Sequence, residues 1–321
     1  MTRPSSVPPP VTAVLDASSR WLPARLGEVE ELLRAAVAGH GEALGEDAAA
    51  TLEAGGKRLR PMLVLLCAGP QAGEETLRAA AAIELVHMAT LVHDDVLDDA
   101  PLRRGLPTVA ATSGRERAVA TGDLLFSRAF ALLADRGDAR SVALLANASV
   151  ALAQGELAQR RDAFDLGISE ERYLHRCRLK TARLFESACL LGRDDAQLRE
   201  FGAGIGLAFQ LLDDVLDVSG PPERTGKARG TDLLDGTITL PLIEAAKSDS
   251  TIREVDLHAL DAVSAESFCD RIAATGALER VRARALQLVG EAKQALERSG
   301  FEPEQRQLLA LVADGVVQRY S

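Results

Sequence analysis

Leu91-Val-His-Asp-Asp-Val-Leu-Asp-Asp99 sets four carboxylates, Asp94, Asp95, Asp98 and Asp99, into an otherwise apolar run, and Phe209-Gln-Leu-Leu-Asp-Asp-Val-Leu-Asp217 repeats the pattern. At about 100° per residue on a helix, the first and fifth positions of Asp-Asp-x-x-Asp share a face, with the second beside them. Each stretch is therefore a helical carboxylate claw. Carboxylates crowded on an apolar helix repel one another and lose solvation, an arrangement that makes sense where cations sit between them. Oxygen donors without histidine or cysteine companions suit Mg2+ or Mn2+. A solvated acidic face is the plain reading of one such cluster, but Ala-Thr-Leu-Val and Phe-Gln-Leu-Leu precede these two. An EF-hand loop is excluded, because the alternating acidic positions and the central glycine are missing.

Working outward, helical periodicity covers most of the chain. Val14 to Ala38 reads as one amphipathic helix, followed by a glycine break at Gly39 to Gly41. A second helix from Asp47 runs into Gly55-Gly56-Lys57-Arg58-Leu59-Arg60-Pro61, where the glycines stop it and Pro61 can start the next. Met62 to Ala68 is a short, wholly apolar run that periodicity alone cannot assign to helix or strand, although its surroundings are helical. Leu77 to Asp99, Gly122 to Ala134, Arg140 to Phe164, Glu170 to Leu191 and Leu198 to Val218 continue the helical series. Ser219 to Gly236 is a long glycine-, proline- and charge-rich loop of the kind that serves as a functional lid or stays disordered. Thr239 to Ala246, Ala265 to Arg298 and Pro303 to Arg319 supply the remaining helices, with a linker at Lys247 to Asp256. With no βαβ alternation, the expectation is an all-α, single-domain helical bundle over residues 13–321 after a disordered Pro-rich tail at 1–12. Two matching claws suggest facing helices across one cavity, as metal sites in bundles are built.

The 321 residues are 47% hydrophobic, enough for a large core, and carry a formal net charge of −10. That charge opposes a nucleic-acid partner. Cys67, Cys177, Cys189 and Cys269 lack metal-ligand spacing and read as reduced core thiols of a cytoplasmic protein. No apolar run of about 20 residues and no signal peptide stand out, so no transmembrane segment is expected.

Cationic groups accompany the claws. Arg103 and Arg104 follow the first one, just past the helix-ending Pro101, and guanidinium forks suit bidentate phosphate binding. Lys57, Arg58 and Arg60 form a second group, and Lys227 with Arg229 a third. Each alone is more simply solvent-exposed charge; together with carboxylates awaiting metal they suggest a substrate bearing two diphosphates. His87 lies two turns before Asp94 on the same face, while His93 points elsewhere and reads as structural. Gln210 stands three and four residues before Asp213 and Asp214. Lys180 and Thr181 interrupt an apolar face, as a cavity-facing pair would.

These pieces, in this order, resemble the all-trans (E-type) polyprenyl diphosphate synthases: Gly56-Lys-Arg-Leu-Arg-Pro61, His87, Asp94-Asp-Val-Leu-Asp98, Arg103-Arg-Gly105, Gly122-Asp123, Lys180-Thr181, Gln210, Asp213-Asp-Val-Leu-Asp217 and Lys227. The resemblance implies the isoprenoid synthase fold around a deep central cavity, a homodimer, and three Mg2+ ions. Asp94, Asp98 and Asp213 would be metal ligands, supported by Asp95, Asp214 and Asp217. It implies that Arg103, Lys180 and Lys227 contact the allylic diphosphate, that Lys57, Arg60, His87 and Arg104 bind isopentenyl diphosphate, and that Thr181 and Gln210 turn oxygen dipoles to the allylic cation. The implied reaction is ionisation of the allylic C–O bond followed by attack of the isopentenyl double bond, with released diphosphate taking the proton.

One departure stands in Gly230-Thr-Asp-Leu-Leu-Asp-Gly-Thr237, where many members carry lysine at Thr237. The expectation is that activity survives on Lys227, helped by Arg229; a gain of about a hundredfold, some 2.7 kcal/mol, from Thr237→Lys would mark the native loop as impaired. Product length is expected to be set upstream of Asp94 by Ala89, Thr90 and Val86, with Ile83 deeper. None is aromatic, which favours C20 or longer, although Phe126 and Phe130 offer another way to close the pocket. A terpene cyclase shares the first claw, but the chain has 3% aromatics and an all-aspartate second claw. A non-catalytic subunit of a heteromeric synthase is the other alternative, against which both claws are intact.

Overall fold

The computed structural model describes residues 9–135, 138–220 and 229–318. Lys227 therefore lies outside the described residues, as does the tail up to residue 8. The described chain is helical apart from one two-stranded hairpin, and it falls into two compact units.

The first unit takes residues 1–149, 187–199 and 299–312. Its helices are α1 (Pro9–Ala17), α2 (Leu22–Val37), α3 (Glu42–Glu53), α4 (Leu59–Ala68), α5 (Glu74–Leu97), the short α6 (Val109–Ser113), α7 (Arg115–Ala134) and the start of α8 (Ala139–Arg161). The single helix expected over Val14 to Ala38 is two. Ser18 turns its hydroxyl back to the Val14 carbonyl at 2.5 Å, and a fresh helix starts with Pro23 in its first turn. Helix α1 also begins inside the stretch read as tail.

Helix α5 is the axis of this unit, packed chiefly against α7 and also against α4 and α2. It is buried nearly all round, from Leu77 through Val86 to Val96, and each fully buried Leu, Ile or Val contributes roughly 1.5–3 kcal/mol. Helix α4 buries every residue from Pro61 to Cys67, which settles the Met62 to Ala68 run as helix. The close approach of α7 to α5 requires Gly122: a Cβ there would lie 2.1 Å from His93 Nε2. His93 is thereby structural, as expected, with Nε2 at 3.2 Å from the Val119 carbonyl and its ring tilted against Phe126 at 5.9 Å.

The second unit takes residues 150–186, 200–298 and 313–321. It includes the C-terminal half of α8, then α9 (Glu170–Cys177), a π-helical turn (Arg178–Ala182), the start of α10 (Arg183–Gly192) and most of α11 (Ala196–Ser219). After these come α12 (Thr231–Leu234), α13 (Leu240–Ser248), two 3-10 turns, α14 (Ala262–Ala274), α15 (Ala277–Glu297) and the end of α16 (Pro303–Gln318). Helix α15 collects α13 and α14 on one side. An Asp261/Ser264 capping box starts α14, and Gly276, at φ +73°, separates it from α15.

By length and composition α8 alone among the described residues could cross a membrane, with mean hydropathy 1.2 over its most apolar window, 28% of it buried. The four cysteines are free and buried.

Candidate functional site

In the first unit the acidic helix behaves as its periodicity predicts. Asp98 is exposed and Asp94 half-buried, whereas Asp95 is only 5% exposed. The buried carboxylate is not left to solvent: Arg103 Nε donates to Asp95 Oδ1 at 2.7 Å. Asp99, at φ +46°, pairs with Arg115 at 2.5 Å, and the same guanidinium nitrogen donates to the Val96 carbonyl at the end of α5.

Arg103 is held by a hairpin that alternation could not reveal, since each strand is two residues long: Leu102–Arg103 against Leu106–Pro107. Its turn residues Arg104 and Gly105 have φ +55° and +78°, the signature of a two-residue turn with both centres left-handed. Thr108 closes the base, donating to Ala100 O at 2.7 Å and accepting from Ala111 N as the cap of α6.

The glycine loop meets this hairpin. A Cβ on Gly56 would sit 2.9 Å from Arg58 Nη1 and 3.3 Å from Arg104 Nη1, so the Arg104 guanidinium lies over a residue that has no side chain to obstruct it. A cavity of about 270 Å³ opens here, with Arg58, Glu84, His87, Asp95, Arg103 and Arg104 in its wall. Burial, reinforced by the charges of Arg60, Arg104, Arg103 and Arg58, pushes the His87 imidazole well below the usual histidine range, so it is neutral at neutral pH. Arg60 and Arg104 beside a neutral histidine, with Arg103 close by, make a field suited to an anion. Burial also pulls the Arg60 guanidinium down to about 10, still charged at neutral pH.

Arg58 itself is spent internally. It is the left-handed N-cap of α4, ion-paired to Glu30 and to Glu84 Oε1 at 2.9 Å, the latter 4% exposed. The residues expected to set product length lie elsewhere on α5: Val86 and Ala89 are fully buried and Thr90 half-buried, and none lines this cavity. Lys57 is exposed at the loop.

In the second unit the matching helix repeats the first claw's partition. Asp213 is exposed, Asp217 half-buried and Asp214 3% exposed. Both Asp214 oxygens are committed, Oδ2 to the Tyr173 hydroxyl at 2.5 Å and Oδ1 to the Gln210 amide nitrogen at 2.8 Å. Gln210 Oε1 in turn accepts from the Thr181 hydroxyl at 2.7 Å. Burial pushes the Asp214 carboxyl up to about 6, with those two donors opposing and Asp213 adding to the rise. Burial likewise raises the Tyr173 hydroxyl well above its ordinary value, so it stays a donor. Asp217 Oδ2 accepts from Asp232 N at 3.3 Å, tying α11 to α12.

Lys180 and Thr181 sit in the π-helical turn, which is held by two glycines. A Cβ on Gly155 of α8 would fall 2.6 Å from Lys180 N, and one on Gly206 of α11 would fall 2.8 Å from Ala182 Cα. Lys180 is ion-paired with Glu156 and reaches Gln159 Oε1 at 3.4 Å. Below the turn, the fully buried Asp162 meets Arg172 at 2.5 Å and Arg176 at 3.6 Å, and Arg176 also donates to the Ile238 carbonyl.

Arg229, expected to help Lys227, is engaged instead with the Val218 carbonyl at 2.9 Å and Asp270 at 2.8 Å. Sequence reasoning missed Tyr173, Glu156, Gln159 and Glu84. A usable signal existed for Tyr173: it stands one turn before Cys177 and two before Lys180, and a buried tyrosine hydroxyl needs a partner.

Among the described residues no three His, Cys, Asp or Glu side chains converge as a closed metal cage. The donor sets still fit Mg2+, which takes one or two carboxylates and completes its shell with water and phosphate oxygens: Asp94 with Asp98 on one helix face, and Asp213 with Asp217 on another.

Residues 42–268 match the model of the polyprenyl synthetase family. The chain is 41% identical over 283 residues to heptaprenyl diphosphate synthase component 2 of Geobacillus stearothermophilus, covering 83% of this chain and 87% of that one. It is 35% identical over 280 residues to octaprenyl diphosphate synthase of Escherichia coli strain K12, covering 83% and 86%. Among solved structures, a polyprenyl synthase from Caulobacter crescentus CB15 complexed with calcium and isoprenyl diphosphate superposes with a TM-score of 0.88 at 31% identity, over 97% of this chain and 98% of that one. A decaprenyl diphosphate synthase from Rhodobacter capsulatus gives a TM-score of 0.87 at 33% identity, over 97% and 99%.

Proposed function

The chain belongs to the polyprenyl synthetase family and is an all-trans polyprenyl diphosphate synthase, a prenyltransferase; we propose that it condenses isopentenyl diphosphate head-to-tail with an allylic diphosphate, in Mg2+, to a product of C20 or longer. The observation that carries the site assignment is the shared partition of the two claws: the first and fifth carboxylates are half-buried or exposed, while the second is buried and hydrogen-bonded. Asp94, Asp98 and Asp213, with Asp217 beside it, are the residues that would hold Mg2+. Bound there, the metal would supply positive charge opposite the departing diphosphate.

The chain's own groups do the rest. Arg103 uses Nε on Asp95, which leaves its terminal amino groups for the allylic diphosphate. Lys180 leaves Glu156 for the same anion, and Lys227 is assigned beside it. Arg104, Arg60, Lys57 and neutral His87 bind isopentenyl diphosphate, His87 as a hydrogen-bond donor. Thr181 and Gln210 set oxygen atoms toward the developing allylic cation. Val86, Ala89 and Thr90 put no aromatic ring in the way of a growing chain, in keeping with relatives named for heptaprenyl and octaprenyl products.

We place the enzyme in the cytosol, which its four free, buried cysteines suit. We also read it as a homodimer, supported by Val150 and Leu157, two turns apart on α8 and 57% and 66% exposed. One observation favours a second reading. The Geobacillus relative is named a component, so dependence on a partner chain is the alternative.

The test incubates the purified protein with Mg2+, labelled isopentenyl diphosphate and each allylic primer from C5 to C20, then sizes the dephosphorylated products; light scattering gives the subunit count. Cyclic hydrocarbons from a single primer would replace the reading with a cyclase, and turnover only after a partner is added would replace it with the heteromer.

A further inference from the structure

We propose that Tyr173, to which sequence reasoning gave no role, is a positioning residue that fixes the direction of the Thr181 hydroxyl through Asp214 and Gln210; this rests on the reading of Thr181 as a group facing the allylic cation. The chain of contacts is Tyr173 hydroxyl to Asp214 Oδ2 at 2.5 Å, Gln210 Nε2 to Asp214 Oδ1 at 2.8 Å, and Thr181 Oγ1 to Gln210 Oε1 at 2.7 Å. Its direction is forced by chemistry. An ionised carboxylate only accepts, so Gln210 must present its nitrogen to Asp214 and is left presenting its oxygen to Thr181. An amide oxygen also only accepts, so Thr181 must donate. Its proton is then used up inside the protein, and Oγ1 has only lone pairs to offer outward, which is the polarity an adjacent cation needs.

Tyr173 anchors the far end. It is 1% exposed and Asp214 3%, so the hydrogen bond is shielded from bulk solvent. Without it the Asp214 carboxylate can rotate about its side-chain torsion, the Gln210 amide loses its fixed acceptor, and the Thr181 proton is free to turn outward. The turn carrying Thr181 cannot compensate by shifting, because Gly155 and Gly206 already hold it at backbone contact.

The experiment is a double-mutant cycle on the full chain, measuring kcat and KM for both diphosphates, with calorimetric binding of the allylic diphosphate and thermal unfolding on the same samples. Tyr173→Phe is expected to lower kcat about tenfold with KM and binding unchanged, and to cost less than about twofold when Thr181 is already valine. Asp214→Asn supplies a second variant with every hydrogen bond still made: the introduced amide accepts from Tyr173 through its oxygen, turns its nitrogen to Gln210, flips that residue's amide, and so points the Thr181 proton outward. In that background Thr181→Val is expected to raise kcat or leave it unchanged, whereas in the native background it lowers kcat. Equal losses from Tyr173→Phe with and without Thr181, or a kcat loss from Thr181→Val in Asp214→Asn as large as in the native protein, would overturn the inference. Absence of turnover in the native protein would overturn the functional reading and this inference with it, whereas native turnover with independent effects would overturn this inference alone.

Discussion

Gly155→Ala tests how tightly the π-helical turn that carries Lys180 and Thr181 is held. The added Cβ would lie 2.6 Å from Lys180 N and 2.9 Å from Lys180 Cα, and reaching an ordinary contact near 3.4 Å requires the two backbones to part by roughly 0.8 Å. Neither side has a flexible end to yield: one is α8 and the other is main chain that also rests on Gly206. Overpacking of this kind costs about 1–3 kcal/mol, against a gain of up to ~1 kcal/mol from replacing a mid-helix glycine by alanine. The net is a loss of about 0–2 kcal/mol, or a melting temperature lower by at most about 8 °C for a protein of this size. The effect on turnover is expected to be larger than stability suggests. A displacement near 1 Å at a positioning group lowers rate by up to about a hundredfold, and here Lys180 and Thr181 move together. Calorimetry and steady-state product formation measure both. Gly290→Ala is the control, since a Cβ there meets nothing within 4 Å; it is expected to stabilise by about 0.5–1 kcal/mol and leave kcat alone. If Gly155→Ala instead behaves like Gly290→Ala, more stable and fully active, the clamp is not real.

Three further outcomes follow from particular contacts. Ala89→Phe is expected to shorten the product, because Ala89 is fully buried on α5; an unchanged product ladder removes it from the chain-length pocket. Arg58→Ala leaves Glu84 buried without its 2.9 Å partner and is expected to destabilise by about 3 kcal/mol, read from urea unfolding; a loss under about 1 kcal/mol, the range of an exposed pair, refutes the buried-pair account. His87 has a folded pKa below its unfolded value of about 6.5, so its contribution to stability is complete above that pH and is lost as pH falls beneath it. His87→Gln is therefore expected to flatten the decline in unfolding free energy between about pH 6.5 and 5, and a slope equal to the native one would show that His87 is not the group responsible.

The helices were legible because their apolar spacing is regular and long. The Ser18 to Trp21 break in the first helix was not, since a serine bonding back to Val14 leaves no mark in hydrophobic pattern. The same limit hid the π-helical turn: Arg178-Leu-Lys-Thr-Ala182 has ordinary helical composition, and the close approach of Gly155 and Gly206 to it is a tertiary feature that leaves no mark in its own sequence. In the site, the residues assigned to substrate and metal stood out by charge and type, whereas those that hold them were not legible. Arg58 looked like one of three cations in the glycine loop, yet Glu30 and Glu84, distant in sequence, use up its charge. Arg229 looked like a helper for Lys227 until Val218 and Asp270 claimed it.

The second aspartate of each claw draws these observations into one rule. Helical geometry lets the first and fifth carboxylates share a face, and in doing so it turns the second toward the protein, where burial would drive it to protonate unless donors meet it. The two helices meet that demand with different chemistry. Asp95 takes a guanidinium, whose Nε it binds while the outer edge of the fork stays open, so the aspartate aims Arg103 as much as Arg103 neutralises the aspartate. Asp214 takes a phenol and an amide, neutral donors that bring no charge into the buried spot but fix a line of hydrogen bonds ending at Thr181. In the proposed assignment an incoming diphosphate would compete for Arg103 and loosen the first arrangement, and it would have no comparable pull on Tyr173. Substrate binding is therefore expected to rearrange the contacts of Asp95 while those of Asp214 stay as they are, with one claw adapting to the leaving group and the other keeping the oxygen of Thr181 in place.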